Sequence, residues 1–384
     1  MKNFTFHNPV EVVFGDGSIE KLSVLVPRDK KILITYGGGS IKRNGIYDRV
    51  IAALPKRKLY EFGGIEANPE FETLCKAADF CRSNQIGFIL AVGGGSVIDG
   101  SKFIASAAKY AGDPWDFLSR KAKPSFTLPI GCVLTLPATG SEMNGNAVIS
   151  RREIKQKNSF GSSKLLPQFA ILEPATTKTL PEPQRINGVI DAFAHVMEQY
   201  LTYPAGAYIS DNLAEGILRT LIDLGKTYVE EPDNLDIAGN IMWASSLALN
   251  GLISCGVTSD WSTHGIGHIL TAYYEIDHAI TLAIVLPGVM DVMRENKKEK
   301  LLQYADRIWG ITKGSEDDRI NQAIEKTESF FRGLGAKTKI SEFAIQEDVP
   351  HRVAEALKNQ DSLPLGEHQD MDFDTIVKIL QSRV

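Results

Sequence analysis

The sequence predicts an α/β domain built on a parallel sheet over residues 1–180, followed by an all-helical domain over 181–384. Three observations predict it. The chain has 384 residues, more than one small domain holds. Short β-type runs alternate with helical patterns through the first 180 residues, as strands and crossover helices of a parallel sheet do. After about Pro181 the glycine triplets and β-runs stop, and long amphipathic stretches take over. The composition is that of an ordinary globular chain, 43% hydrophobic and 23% charged, which excludes disordered and collagenous classes. The net charge of −5 gives no global attraction to nucleic acid or anionic membrane, and neither partner is expected.

Taken in order, Lys31–Thr35 is an apolar run ending at the triplet 37–39, and a helical pattern follows over 40–54. Lys58–Phe62 is a second strand. Over 70–84 the apolar residues Leu74, Ala77, Ala78 and Cys81 recur at helical spacing. The run 87–92 is continuously apolar, as a strand buried on both faces is, and it ends in a second triplet, 93–95. The boundary is placed near residue 180, in the proline-bearing segment 173–183. Beyond it, helices are predicted over 183–201, 209–231, 235–253, 262–274 and 281–295. Cys75, Cys81, Cys132 and Cys255 have no CxxC spacing and read as small hydrophobes in a reducing compartment. The N-terminus MKNFTFHNPVEVVFG lacks an apolar h-region, so no signal peptide is expected. The longest uncharged apolar stretch, 279–290, is too short for a membrane span and contains Pro287. A cytoplasmic location is expected.

Two GGGS turns, Gly37-Gly38-Gly39-Ser40 and 93–96, each follow a strand and open a helix. Glycine lets the backbone approach a phosphate closely, and free N–H groups at a helix start attract anions. One such turn alone reads better as a tight turn without a ligand; two in one sheet favour a dinucleotide site, although neither is a GxGxxG fingerprint. Ser96 and Asp99 fit an S-x-x-D capping pattern. The first turn contains no carboxylate, and Lys42 and Arg43 follow it. An acid that holds a ribose 2′-hydroxyl repels a 2′-phosphate, so a dinucleotide bound here is better matched as NADP(H). Lys42 and Arg43 read equally as a solvated helix face.

The helical half holds His195, His264, His268 and His278. Asp191 and His195 are four apart on one helix face, among Val189, Phe193, Ala194 and Met197. A buried carboxylate in that setting needs a partner, and a cation supplies one. His264 and His268 form a second such pair, and His278 follows Asp277 just ahead of an apolar helix. Aspartate with imidazoles suits Zn²⁺ or Fe²⁺ and is poor for Ca²⁺ or Mg²⁺. Spacing does not choose between His264 and His268. Phe160, Trp243 and Trp261 are aromatic candidates for a pocket, with core packing the plainer role of each.

The stretches LITYGGGSIK, EFGGIEANP, LAVGGGSVIDGSKFIA, LTLPATGSEMN, NGVIDAFAHVMEQY, DWSTHGIGHILTA and DHAITLAIVLP together resemble the iron-containing (group III) alcohol dehydrogenases. The resemblance covers essentially the whole chain and points to the NADPH-dependent butanol dehydrogenase and aldehyde reductase branch. It implies a dehydroquinate synthase-like two-domain architecture: an α/β dinucleotide-binding domain, a helical metal-binding domain and an active site in the cleft between them. By position it implies Asp191, His195, His264 and His278 as metal ligands, with His268 beside the metal. It implies the pyrophosphate loop at Gly94, Gly95, Ser96 and Asp99, and further cofactor contacts at Thr135, Thr139, Asn144 and Lys157. NAD-preferring relatives carry an aspartate where this chain has Gly38, in agreement with the charge argument for NADP(H). The metal is iron or zinc, since three histidines and an aspartate suit both.

The expected reaction is reversible hydride transfer between NADP(H) and a small primary alcohol or aldehyde such as butanol or butyraldehyde. The metal is expected to act as a Lewis acid on the substrate oxygen. His268 is the candidate for proton delivery, or equally for orienting a ligand. The resemblance also implies a homodimer. Glycerol dehydrogenase-like or dehydroquinate synthase-like chemistry, and a non-catalytic nucleotide sensor, are the competing readings.

Overall fold

Eight strands form in the computed structural model, which describes residues 1–345 and 348–384. They are β1 (Glu11–Phe14), β2 (Lys31–Thr35), β3 (Lys58–Phe62), β4 (Phe88–Gly94), β5 (Ile130–Leu136), β6 (Asn146–Arg151), β7 (Gln156–Gly161) and β8 (Phe169–Leu172). Six of them pair in parallel in the order β1-β8-β5-β4-β2-β3, and β6 and β7 pair antiparallel as a separate hairpin. The alternating pattern of strand and helix thus gives the α/β layer expected of it. The hairpin is an addition that the strand–helix pattern did not announce.

The continuous apolar runs are explained by burial on both faces of the sheet. Successive side chains of a strand point to opposite faces. Ile32, Ile34, Phe88, Leu90 and Val92 therefore join one buried cluster with Ile41, Ile46 and Val50. Leu33, Ile89, Ala91 and Leu134 join another, against Leu74, Ala77 and Ala78 of helix Phe71–Asn84 and Ile98, Phe103 and Ile104 of helix Gly95–Ala107. Each of the Val, Leu, Ile and Phe side chains is worth roughly 1.5–3 kcal/mol of burial, and each alanine less.

One expected helix, 40–54, is instead two, Ser40–Arg43 and Ile46–Ala53. Gly45 separates them at φ 80°, a conformation that breaks the helical ladder and that glycine adopts without strain. Of the four cysteines, Cys81 and Cys132 are buried and Cys75 and Cys255 half-buried, and all four are free thiols.

Residue contacts divide the chain into two units. One is His7–Pro181 with Glu231–Asn250, and the other is Met1–Phe6, Glu182–Glu230 and Gly251–Val384. Helix Leu235–Ala248 belongs with the sheet, where its Met242 lies in the same buried cluster as Leu134 and Leu172. The second unit is helical: Glu182–Tyr200, Tyr208–Glu230, Ser262–Tyr274, His278–Val292, Lys298–Arg307, Glu316–Gly333, Val349–Asn359 and Phe373–Gln381. Helix starts here follow local chemistry. Ser315 and Asp318 form a capping box, and Asp348 and Asp372 accept from the backbone N–H three residues on. No helix among the described residues is long and apolar enough to cross a membrane.

Candidate functional site

Helix Glu182–Tyr200 is almost entirely buried from Gly188 onward, polar residues included. Its apolar periodicity drives that burial, and Asp191, His195 and Glu198 are carried inside with it. Asp191 is 3% exposed, and its Oδ1 is buried with no hydrogen-bond partner. Three imidazole nitrogens face that oxygen: His195 Nδ1 at 3.7 Å, His278 Nε2 at 3.8 Å and His264 Nε2 at 4.0 Å. These separations are too long for hydrogen bonds. They lie near the spacing of about 3.4 Å between ligand atoms held tetrahedrally at roughly 2.1 Å from a common ion. Donor atoms of Asp191, His195 and His264 all lie within 4.8 Å of one another. One carboxylate and three imidazoles are a donor set for Zn²⁺ or Fe²⁺. A divalent ion would also neutralise the buried Asp191 carboxylate, whose Oδ1 has no hydrogen-bond partner, so the residues fit the metal.

His278 is the first residue of helix His278–Val292, with Asp277 as the residue before it. The expectation that this helix begins at 281 was therefore three residues late. The histidine sits on a rigid helix end rather than in a preceding loop. His268 lies beside the group, its ring centroid 5.2 Å from that of His278 and 6.3 Å from that of His264. Of the aromatic candidates, Trp261 approaches the His264 and His195 rings at 5.3 and 6.1 Å. Phe160 is core, and Trp243 is exposed on helix Leu235–Ala248.

Glu198 is the residue that motif reading missed. Its Oε1 accepts from the His264 backbone N–H at 2.9 Å and lies 3.0 Å from His264 Nδ1, while Oε2 accepts from Trp261 N–H at 2.9 Å. With Nε2 turned toward Asp191, this network assigns the imidazole proton to Nδ1. A carboxylate on the far nitrogen fixes the ring's tautomer and orientation. Burial, and then the neighbouring Asp260 carboxylate, push the Glu198 carboxyl well above its usual range. The available signal was a third polar residue, seven positions after Asp191 and three after His195, on the same apolar helix.

In the sheet unit, the two glycine triplets end the adjacent strands β2 and β4. From β2 the chain runs outward to β3 and then returns to β4 on the other side. The carboxyl ends of β2 and β4 are thus a topological switch point, where open α/β sheets bind ligands. A Cβ on Gly95 would lie 2.4 Å from Thr139, and one on Gly94 2.9 Å from Leu136, so the β4 turn is pressed against the segment after β5. Gly95 opens the 13-residue helix Gly95–Ala107, whose N-cap Gly94 places no side chain on the first N–H groups. These features leave backbone donors for an anion and fit a dinucleotide pyrophosphate.

The expected capping pair does not form. Ser96 lies inside that helix, and its hydroxyl donates to the Ala67 carbonyl. Asp99 instead accepts from Ser141 Oγ at 2.5 Å and Val148 N–H at 2.9 Å. The glycine N-cap wins because no Ser96 side chain precedes the first turn. Asp99 thereby braces the segment that holds Thr139 and Asn144. The buried Lys102 ammonium does the same, donating to Ser141 Oγ at 2.7 Å, Asn144 Oδ1 at 3.2 Å and the Asn146 carbonyl at 2.6 Å. Burial pushes Lys102 below its usual range. Thr135 is half-buried near the end of β5. Lys157, on β7, donates to Asn68 Oδ1 at 3.0 Å, a partner that motif reading also missed.

At the first triplet, Gly38 has nothing within 4 Å of its would-be Cβ. The helix opened by Ser40 is a single turn, so this loop offers far less helix dipole than the second. Lys42 is paired with Glu61 of β3 at 2.7 Å, and the Tyr36 and Tyr47 hydroxyls donate to the same carboxylate. Lys42 is thus charge-matched, and Arg43 is an exposed cation without an acidic partner among the described residues.

Comparison with known proteins adds to this geometry. Residues 9–174 match the family described as "Iron-containing alcohol dehydrogenase", and residues 185–384 match "Fe-containing alcohol dehydrogenase family, C-terminal". The chain is 48% identical to the NADPH-dependent aldehyde reductase YqhD of Escherichia coli over the full length of both. It is 39% identical to NADH-dependent butanol dehydrogenase A of Clostridium acetobutylicum, covering 99% of each chain. The crystal structure of E. coli YqhD superposes with a TM-score of 0.98, covering 100% of this chain and 99% of that one. NADH-dependent butanol dehydrogenase A of Thermotoga maritima, 33% identical, superposes at 0.95 with the same coverage.

Proposed function

The chain belongs to the iron-containing alcohol dehydrogenase family, and from that premise we propose that it interconverts small aldehydes and primary alcohols with NADP(H). Reduction consumes the aldehyde, NADPH and one proton and yields the alcohol and NADP⁺. When bound, the metal supplies Lewis acidity at the substrate oxygen and the nicotinamide supplies hydride. The single observation that carries the reading is the buried Asp191 oxygen faced by three imidazole nitrogens at 3.7–4.0 Å. A sensor would have no need of such a donor set.

The chain's own residues have these roles. Asp191, His195, His264 and His278 hold the ion, and Glu198 orients His264. Gly94, Gly95, Ser96 and Asp99 form the pyrophosphate loop at the helix start, with Thr135, Thr139, Asn144 and Lys157 around the remainder of the cofactor. Gly37, Gly38, Gly39 and Ser40 take the adenosine end. Gly38 has room for a 2′-phosphate, and nearby Arg43 carries an unmatched positive charge. His268 delivers the proton that the alcohol oxygen gains, or orients His278 beside it. Apart from residues 1–6 and 231–250, each of which belongs to the opposite unit, residues 1–180 serve as the cofactor domain and 181–384 as the metal domain of a cytoplasmic homodimer.

The test combines metal analysis of the purified protein with the loss of reduced-nicotinamide absorbance on adding butyraldehyde. Stoichiometric iron or zinc and faster oxidation of NADPH than of NADH are expected. A protein that holds metal but oxidises neither cofactor would refute the reading.

A further inference from the structure

Lys297 is buried at 2% exposure, on the residue that caps helix Lys298–Arg307. Its ammonium is surrounded by acceptors: Glu367 Oε1 and Oε2 at 2.6 and 2.7 Å, Asp260 Oδ2 at 2.9 Å and the Leu201 carbonyl at 3.0 Å. Both carboxylate partners are buried, with side chains 3% and 2% exposed. Leu201 directly follows the helix that carries Asp191, His195 and Glu198. Asp260 precedes the helix that carries His264. One side chain therefore ties the end of one ligand-bearing helix to the start of the other.

The Asp260 end of this tie reaches the metal group in two steps. Asp260 N–H donates to the Glu198 carbonyl at 2.8 Å, and Asp260 Oδ1 accepts from Ser262 N–H at 3.0 Å. Between them Trp261 is held at φ 71°, a left-handed conformation that a bulky residue adopts only where its surroundings impose it. That turn aims the N–H groups of Trp261 and His264 at the Glu198 carboxylate. Glu198 in turn holds His264 Nδ1. Glu198, Asp260 and Glu367 are three buried carboxylates in this region, and Lys297 is the ammonium placed among them. Without it, the repulsion between Asp260 and Glu198 would lose the cation that offsets it, and the 260–264 turn would relax.

We infer that Lys297 is a positioning residue for the metal centre, acting through Asp260 and Glu198 to set the orientation of His264. The inference rests on the metal reading above and extends it to a residue that touches no ligand. Outer partners of a ligand typically alter metal affinity by about 10–100-fold.

The test uses Co²⁺ as the probe, loaded into the full-length protein after chelator treatment. Affinity is read by chelator competition and coordination geometry by the visible absorption bands of Co²⁺. Lys297→Met is paired with Lys297→Met/Glu367→Leu, which removes the buried cation together with one carboxylate and so limits uncompensated charge. The expected result is a folded double variant, judged by circular dichroism, with shifted Co²⁺ bands and affinity at least about tenfold weaker. Wild-type bands and affinity in a folded variant would overturn the inference. Failure of both variants to fold would also overturn it, by making Lys297 a support of the whole unit. A wild-type protein that takes up no Co²⁺ would instead overturn the metal reading, and the inference with it.

Discussion

On the function proposed above, the metal group and the glycine turns hold a charged ligand in opposite ways. Around Asp191 the donors are side chains, brought together from three helices and buried with the apolar faces that carry them. At the ends of β2 and β4 the donors are backbone N–H groups, and what matters is the lack of a side chain at Gly94 and Gly95. A side-chain site depends on the packing that aims each donor, so residues such as Glu198 that touch only a ligand matter greatly. A backbone site depends on steric clearance, so its weak points are the positions where a Cβ would collide.

The comparison is broken most severely at Asp191. Asp191→Ala removes the one carboxylate among the donors. Lewis-acid stabilisation of several kcal/mol, at about 1.4 kcal/mol per factor of ten, predicts that turnover falls by about a thousandfold or more. Metal analysis should find the ion lost as well; an active variant without metal would dismiss the site.

Glu198→Gln keeps all four donors and tests whether aiming is a separate requirement. Metal affinity should weaken by about 10–100-fold, read by chelator competition, with NADP⁺ affinity unchanged. Unaltered metal affinity would mean that packing alone holds His264.

Gly95→Ala is the matching test of the backbone site. The added methyl would stand 2.4 Å from Thr139. Overpacking of about 1–3 kcal/mol should weaken NADP⁺ binding by roughly tenfold or more, measured by titration, while metal content is retained. Loss of metal as well would show that the two sites are not independent.

Gly38 sharpens the contrast, since a side chain there meets nothing within 4 Å. Gly38→Ala should be tolerated. Gly38→Asp should shift the NADPH-to-NADH ratio of kcat/KM by about tenfold toward NADH, a charge effect of one to two kcal/mol. An unchanged ratio would place 2′-phosphate recognition elsewhere.

The smallest effect is expected at Glu61. Glu61→Gln frees Lys42 from its surface ion pair, and an exposed pair of this kind contributes little because solvent screens it. NADP⁺ binding should tighten about two- to fivefold and become more salt-sensitive. Weaker binding would show that the Glu61 carboxylate itself contacts the cofactor.

Most of the fold was readable because its signals are local. The limits of β2 and β3 follow from apolar runs bounded by breakers, and the helix Ser262–Tyr274 from periodicity. The break at Gly45 and the hairpin of β6 and β7 were not read. A single glycine inside a periodic stretch is ambiguous, and the hairpin residues 146–161 lack a clear two-fold alternation. At the site, the histidines and aspartate stood out as polar residues on apolar helices. Glu198 did not, since an acidic residue near a helix end usually faces solvent. The Ser96–Asp99 spacing misled for a related reason: a capping pattern specifies a cap only if the helix begins where the serine is.

The sequence by itself determined the types of donor, the glycine turns and which residues share a face of one helix, because these depend on neighbours a few positions away. Only the tertiary structure decided that three imidazoles face Asp191, that Glu198 aims His264, that Glu61 neutralises Lys42 and that Lys157 meets Asn68. Apart from His195, which lies four positions from Asp191 on the same helix, those meetings join residues 19 to 89 positions apart. Helical periodicity directs a side chain within its own element, whereas the packing of whole elements decides what it meets.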